Sequence, residues 1–356
     1  MEEKSSKLYE NEGDPKFSDI SLRLLDLSDI DDFMVWASDG KVARFCRWEP
    51  YTSKAEGMSF IKDKVATHPW FRAICINNRP IGAITVTPKS GHDKCRGELG
   101  YVLASNYWGK GIATQSVKMV AKTIFDEWPH LERLEALVDV ENVGSQRVLE
   151  KAGFKKEGVL RNHTFRESRV DMEEQSLESE VKEGQSEFSE ISLRPLELSD
   201  IDDFMVWASD DKVTSFTSYG PFSHKEEGIE YINHVVIPHK WFKAICLNNR
   251  AIGAISVTPF SGNDKCRGEI GYVLGSKYWG KGIATRAVKM VVDIIFDEWP
   301  HLERLEALVD VENVGSQKVL QKAGFMREGV LRKYVLLKGK TRDMVMFSLL
   351  STDPRI

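Results

Sequence analysis

Several common classes of protein are set aside by what this sequence has little of. Its five cysteines, Cys46, Cys75, Cys95, Cys246 and Cys266, are spread over 356 residues and form no CxxC pair. That argues against a disulfide-stapled scaffold or a structural zinc site. Four of them stand in apolar or strand-like stretches, as reduced and buried thiols of a cytoplasmic protein do. No run of eighteen apolar residues occurs, and the opening MEEKSSKLYENEGDPKFSD has no apolar core, so neither a membrane span nor a signal peptide is expected. Positive charge is not in excess: 49 Lys and Arg face 54 Asp and Glu, a formal net charge of −5. A broad basic surface for nucleic acid or an anionic membrane is therefore not expected, although a local basic pocket is compatible with these numbers. HExxH is absent, and His130, His224, His234, His239 and His301 follow no ligand spacing, so no metal is expected.

What the sequence does have is a duplication. The stretch YWGKGIAT occupies Tyr107–Thr114 and returns at Tyr278–Thr285, an offset of 171. The same offset carries Asp126–Gln146, DEWPHLERLEALVDVENVGSQ, unchanged onto Asp297–Gln317. With 42% hydrophobic and 29% charged residues, each copy can bury a core of its own. The expected organisation is a disordered tail over 1–19, a first domain over 20–172, an acidic flexible linker over 173–188 and a second domain over 189–352.

Within a copy, strands and helices alternate. Ile20–Leu24 reads as a strand, and Leu27–Ala37 as a helix after a cap at Ser28. Phe71–Val86 reads as a hairpin about Asn77-Asn78, and Gly97–Leu103 as a strand that enters the YWGKGIAT turn. Beyond the turn, Ala113, Val117, Val120, Ala121, Ile124 and Trp128 share one helix face. Leu134, Ala136, Val138 and Val140 then alternate as a strand parallel to the one before the helix. A second helix runs from a cap at Asn142 to a stop at Gly153. The fold class expected is mixed α/β: two domains, each a mixed and mostly antiparallel sheet with a central βαβ unit flanked by helices.

A glycine turn at the mouth of a helix offers unpaired N–H groups and the positive end of the helix dipole, an arrangement that receives phosphate but also serves as a plain tight connection. Gly109 and Gly111 allow close backbone approach and Lys110 adds charge; Gly280, Lys281 and Gly282 repeat the device. Neither GxxxxGK[ST] nor GxGxxG occupies the turn, which disfavours a P-loop and a dinucleotide site.

GELGYVLASNYWGKGIAT, a helix, a strand and then ENVGSQRVLEKAGF together resemble the GNAT superfamily of acetyl-CoA-dependent N-acetyltransferases, most closely its branch of ribosomal-protein N-terminal acetyltransferases, over nearly all of both copies. The resemblance implies that acetyl-CoA is the cosubstrate and an amine, of a protein N-terminus or a small molecule, the acceptor. It places the coenzyme pyrophosphate on Asn106–Gly111 and Lys277–Gly282, whose first positions depart from the family's Gln or Arg. Its coenzyme site would comprise Val102, Trp108, Gly109, Lys110, Gly111, Ile112, Ala113 and Asn142, repeated as Val273, Trp279, Gly280, Lys281, Gly282, Ile283, Ala284 and Asn313. Val102 and Val273 supply the oxyanion N–H in this reading, and Asn142 and Asn313 meet the pantetheine arm or simply cap a helix.

Glu98 and Glu269, on the strand entering the turn, are the candidate bases. Leu149 and Leu320 stand where many relatives carry a tyrosine acid, leaving Ser145 and Ser316 as the nearest hydroxyls. FCRWEPY at Phe45–Tyr51 against FTSYGPF at Phe216–Phe222 predicts different acceptors. Copy two ends in two apolar strands about Gly339, whereas copy one lacks that hairpin pattern. The second copy is thus expected to be the more active, with an intramolecular pseudo-dimer compatible with the tether. The competing reading is a regulatory or scaffold protein that binds acyl-CoA with one or both copies silent.

Overall fold

The computed structural model describes residues 20–163 and 191–355. The expected tail, the 173–188 linker and the end of the first domain beyond His163 lie outside the described residues. The chain divides into two compact units, Met1–Lys156 and Glu157–Ile356.

In the first unit a five-stranded sheet runs in sequence order: β1 (Ile20–Arg23), β2 (Phe71–Ile76), β3 (Arg79–Pro88), β4 (Arg96–Leu103) and β5 (Arg133–Glu135). Neighbours are antiparallel except β4 and β5, which are parallel and joined by helix α4 (Ile112–Glu127). Asn77 and Asn78 both take positive φ, 49° and 64°, as the predicted two-residue hairpin requires. Helices α1 (Ile30–Ala37), α2 (Gly40–Ala43) and α3 (Lys54–Phe60) cover one face, and α4 with α5 (Val143–Lys151) the other. Val117, Val120 and Ile124 of α4 are fully buried against Ile74, Ile84 and Leu99. Each such side chain contributes about 1.5–3 kcal/mol relative to an exposed position.

Two local expectations need correction. The segment before α1 is capped by Asp26, whose carboxylate accepts from the Ser28 amide at 2.8 Å, so Ser28 lies inside the turn. The ladder of β5 ends at Glu135; Ala136–Val140 continue without a strand partner among the described residues.

The second unit repeats the plan with β6 (Ile191–Pro195), β7 (Phe242–Leu247), β8 (Arg250–Pro259), β9 (Arg267–Leu274) and β10 (Arg304–Asp310). Its helices are α6 (Ile201–Ala208), α7 (Asp211–Thr214), α8 (Lys225–Tyr231), α9 (Ile283–Glu298) and α10 (Val314–Lys322). Strands β11 (Met326–Leu337) and β12 (Lys340–Leu350) then form the predicted hairpin, turning at Lys338 and Gly339 with φ of 50° and 77°. β12 inserts beside β10, giving the order β11-β12-β10-β9-β8-β7-β6.

Residues 157–163, which the repeat register assigns to copy one, belong to the second unit. Gly158 bridges its own repeat mate Gly329, and only glycine fits: a Cβ on Gly329 would lie 2.2 Å from the Glu157 carbonyl oxygen. Arg161 there joins Asp353 and Ser348, and its amide donates to Glu328 at 2.9 Å. Glu328 is gripped by Arg304, which is completely buried and also meets Glu306 at 2.7 Å. Burial alone would raise the Glu328 carboxyl; the Arg304 guanidinium, the Arg161 amide and the Ser348 hydroxyl outweigh it and hold the group below the usual glutamate range.

Candidate active site

The site begins where a parallel pair comes apart. β4 and β5 are in register at Arg96/Arg133, Gly97/Leu134 and Glu98/Glu135, and no further; β9 and β10 stop at the equivalent Glu269/Glu306. Beyond that point the β5-facing edge of β4 has no ladder partner among the described residues, so backbone donors and acceptors are left along a slot that an extended, amide-bearing chain can enter. Val102 and Val273, the expected oxyanion donors, lie on this stretch.

At the end of β4 the chain makes the glycine turn. Gly109 and Gly111 take φ of 77° and 76°, and Gly280 and Gly282 76° and 78°, a left-handed conformation costly for other residues. Nothing stands within 4 Å of a Cβ built on Gly109, Gly280 or Gly282, so a group can approach the backbone from outside. The first intrahelical bonds of the following helices run from Gln115 to Gly111 and from Arg286 to Gly282, both 3.0 Å. The amides of Ile112, Ala113, Ile283 and Ala284 thus precede any helical partner and point out of the helix mouth, fitting a diphosphate. Asp39 and Asp210 pin the approach by accepting from Ser105 and Ser276 at 2.6 and 2.5 Å; those hydroxyls are the main cause of their lowered carboxyl pKa. The indoles of Trp108 and Trp279 donate to Leu103 and Leu274 carbonyls at 2.7 Å, bracing the turn. Lys110 and Lys281 hang over the Tyr107 and Tyr278 rings.

On the far side of the slot, Asn142 and Asn313 accept from the Ser145 and Ser316 amides at 3.1 and 3.0 Å, so the capping role is realised in both units. Asn142, Ser145 and Val102 line a cavity of about 390 Å³ in the first unit. It continues past Gly100 to Phe33, Trp48 and Tyr51, and thereby joins the slot to the α1–α3 side of the sheet. Glu98 is outside its lining. Its carboxylate is bound by Lys89 at 2.7 Å, two residues along the strand from Gly100 on the same face. In the second unit Phe260 stands at the Lys89 position and covers the Arg267 guanidinium at 4.4 Å. Leu149 and Leu320 are buried in the core, so neither position supplies an acid.

Sequence reading missed Tyr101 and Tyr272. Their hydroxyls donate to the Ser145 and Ser316 carbonyls at 3.1 Å, and burial pushes both phenols up, so they remain protonated donors at neutral pH. The signal was present: in a strand, a tyrosine one residue from Gly100 must face the helix side opposite Glu98.

Residues 19–155 and 190–326 each match the family model of the acetyltransferase (GNAT) domain. The chain belongs to the GNAT family and is an acetyl-CoA-dependent N-acetyltransferase. It is 35% identical over 168 residues to the uncharacterized N-acetyltransferase p20 of Bacillus licheniformis, a match that spans 46% of this chain and 94% of that protein. It is 31% identical over 84 residues to the [ribosomal protein uS5]-alanine N-acetyltransferase of Escherichia coli, covering 24% of this chain and 43% of the enzyme. Among solved structures, a GNAT acetyltransferase from Bacillus anthracis aligns at 25% identity with a TM-score of 0.42, covering 46% of this chain and 96% of that one. No helix among the described residues is long and apolar enough to cross a membrane, and no cluster of metal-ligating side chains occurs among them.

Proposed function

We propose that the chain acetylates α-amino groups, with the second unit the more active and the N-terminal amine of a protein its acceptor. The observation that carries the acetyl-transfer geometry is the duplicated slot, open between two parallel strands and ending at a helix mouth with left-handed glycines. Bound there, the coenzyme supplies an acetyl thioester. The protein's part is to hold it and to ready the amine.

An α-amine has a pKa of roughly 7.7–8.0, so a useful fraction is neutral near pH 7, whereas a lysine at about 10.4 needs far more help. Glu98 and Glu269 share the face of Gly100 and Gly271 and take the proton through a water, since the Glu98 carboxylate lies outside the cavity. Backbone N–H at Val102 and Val273 steadies the charge on the carbonyl oxygen. Tyr101 and Tyr272 hold the first turn of α5 and α10, and so position Asn142 and Asn313 and the Ser145 and Ser316 hydroxyls beside the departing sulfur.

Two differences favour the second unit. Lys277, Lys281 and Arg286 surround its turn where the first has Asn106, Lys110 and Gln115, two more cations toward a phosphate. The β11–β12 hairpin completes the sheet beside β10. The relative from Escherichia coli, named for acetylating a ribosomal-protein alanine, supports an N-terminal acceptor.

Glu269→Gln tests the reading. It should lower kcat on an N-terminal peptide by about 10²-fold or more while coenzyme affinity holds, with a smaller loss for Glu98→Gln. Unchanged kcat in both variants would remove the carboxylates from the mechanism.

A further inference from the structure

The two units keep the same coenzyme turn but line the acceptor side differently. In the first, Trp48 meets Tyr51 at 5.7 Å between ring centroids, Tyr51 meets Phe33 at 5.7 Å, and Phe33 stacks on Phe60 at 5.7 Å. These rings wall the cavity that opens onto Gly100, Val102 and the slot. Arg47 stands on the same wall and makes no hydrogen bond or ion pair among the described residues, while its neighbour Arg44 reaches Glu141 at 3.7 Å. The cavity's carboxylate, Asp139, accepts from the Glu141 amide at 2.8 Å and so serves the turn before α5.

In the second unit Ser218 occupies the Arg47 position and Tyr219 the Trp48 position. Tyr51 and Phe60 meet at 5.8 Å in the first unit as Phe222 and Tyr231 do at 5.4 Å in the second, but Tyr219 packs on both Phe222 and Tyr231, at 5.3 and 5.4 Å, where Trp48 meets only Tyr51 of the corresponding pair, so the second unit's three rings close on one another. The volume in the first unit, about 390 Å³, is small-molecule size, within the roughly 300–1,000 Å³ of ligand pockets. An aromatic wall carrying one unpaired guanidinium suits a ligand with a flat apolar body and an anionic group. It repels a polycation.

We propose that the first unit takes, as its acceptor, a small α-amine with an aromatic side chain and a free carboxylate: the chemistry of an aromatic amino acid, with the ring among Trp48, Tyr51 and Phe33, the carboxylate on Arg47 and the amine toward the slot. This rests on the acetyl-transfer reading for the reaction, though not for the binding. In the reaction the amine nitrogen forms the amide bond as the thioester C–S bond breaks, the sulfur leaves as thiolate, and the amine proton passes to solvent or the Glu98 carboxylate.

The test uses the full chain carrying Gly280→Glu, which silences the second coenzyme turn, with L-phenylalanine and L-phenylalaninamide as probes. Binding is read by calorimetry and transfer by acetylated product. Phenylalanine should bind roughly 10- to 100-fold more tightly than the amide, the range of a charge-assisted contact. Arg47→Ser, an exposed change to the second unit's own residue, should erase that preference and raise KM with kcat little altered. Arg47→Lys should restore part of it. The assignment is overturned if acid and amide bind alike, if Arg47→Ser leaves the preference intact, or if only longer peptides bind. Arg47-dependent binding of phenylalanine without acetylated product would uphold the pocket and overturn the transfer reading for this unit.

Discussion

Twenty-one consecutive residues are identical in the two units, Asp126–Gln146 and Asp297–Gln317, yet they do not fold identically. In the second unit the strand runs from Arg304 to Asp310; in the first it ends at Glu135 after three residues. Ala307 and Val309 are buried, while Ala136 and Val138 are half-exposed and Leu137 is exposed. The difference lies in the partner. β10 is laddered to β12 along its whole length, and β5 has no such neighbour among the described residues. A strand is thus a property of a pair, and local sequence sets only the readiness to form one.

The charged residues at the base of the strand show the same contrast. Arg304 and Glu306 are 0% and 3% exposed at their side chains, and Arg133 and Glu135 12% and 13%. Arg304→Ala removes the guanidinium that Glu306 and Glu328 share, leaving Glu306 with Arg267 at 3.1 Å and Glu328 with the more distant Arg161 at 3.5 Å, and should destabilise the second unit by up to about 3–5 kcal/mol, with Arg133→Ala costing the first distinctly less. Chemical denaturation of the full chain, followed with both variants, checks this; equal losses would break the comparison. Acid should act in the same direction. Because the Glu328 carboxyl is depressed in the folded chain, its contribution is present above the unfolded glutamate pKa near 4.3 and is lost as pH falls through the lower folded value. Arg304→Ala should flatten that part of the stability profile.

A smaller effect sharpens the view of the slot. Asn142→Ala and Asn313→Ala each remove a helix cap and should cost about 0.5–2 kcal/mol, whereas serine at either position keeps most of the cap. If the asparagines also touch the coenzyme, the serine variants should retain stability yet weaken acetyl-CoA binding several-fold. Affinity that tracks stability alone would reduce them to caps.

Much of this was legible. The repeat, the Asn77-Asn78 hairpin, the helix after the glycine turn and the Gly153 stop follow from local chemistry: left-handed backbone at Asn and Gly, and apolar spacing on one face. Family resemblance pointed to Asn106–Gly111 and Lys277–Gly282 as a coenzyme turn, and the parting of β4 from β5 beyond Glu98 was not foreseen. What local sequence could not carry was non-local. The Lys89 grip on Glu98 reaches from the residue after β3 onto β4, the Tyr101 bond spans 44 residues, and the Arg161 bonds to Asp353 span 192. Asp26 and Ser28 are both residue types that cap a helix, and only the backbone geometry assigns the cap to Asp26.

The duplicated turn should serve two coenzyme sites, the second tighter than the first. Calorimetric titration of acetyl-CoA into the full chain, beside Gly109→Glu and Gly280→Glu, tests it most directly. Left-handed φ and open space at both glycines mean that glutamate brings backbone strain and a like charge to the phosphate position. Two sites are expected, the weaker lost with Gly109→Glu and the tighter with Gly280→Glu. A single site lost only with Gly280→Glu, or no binding at all, would contradict it.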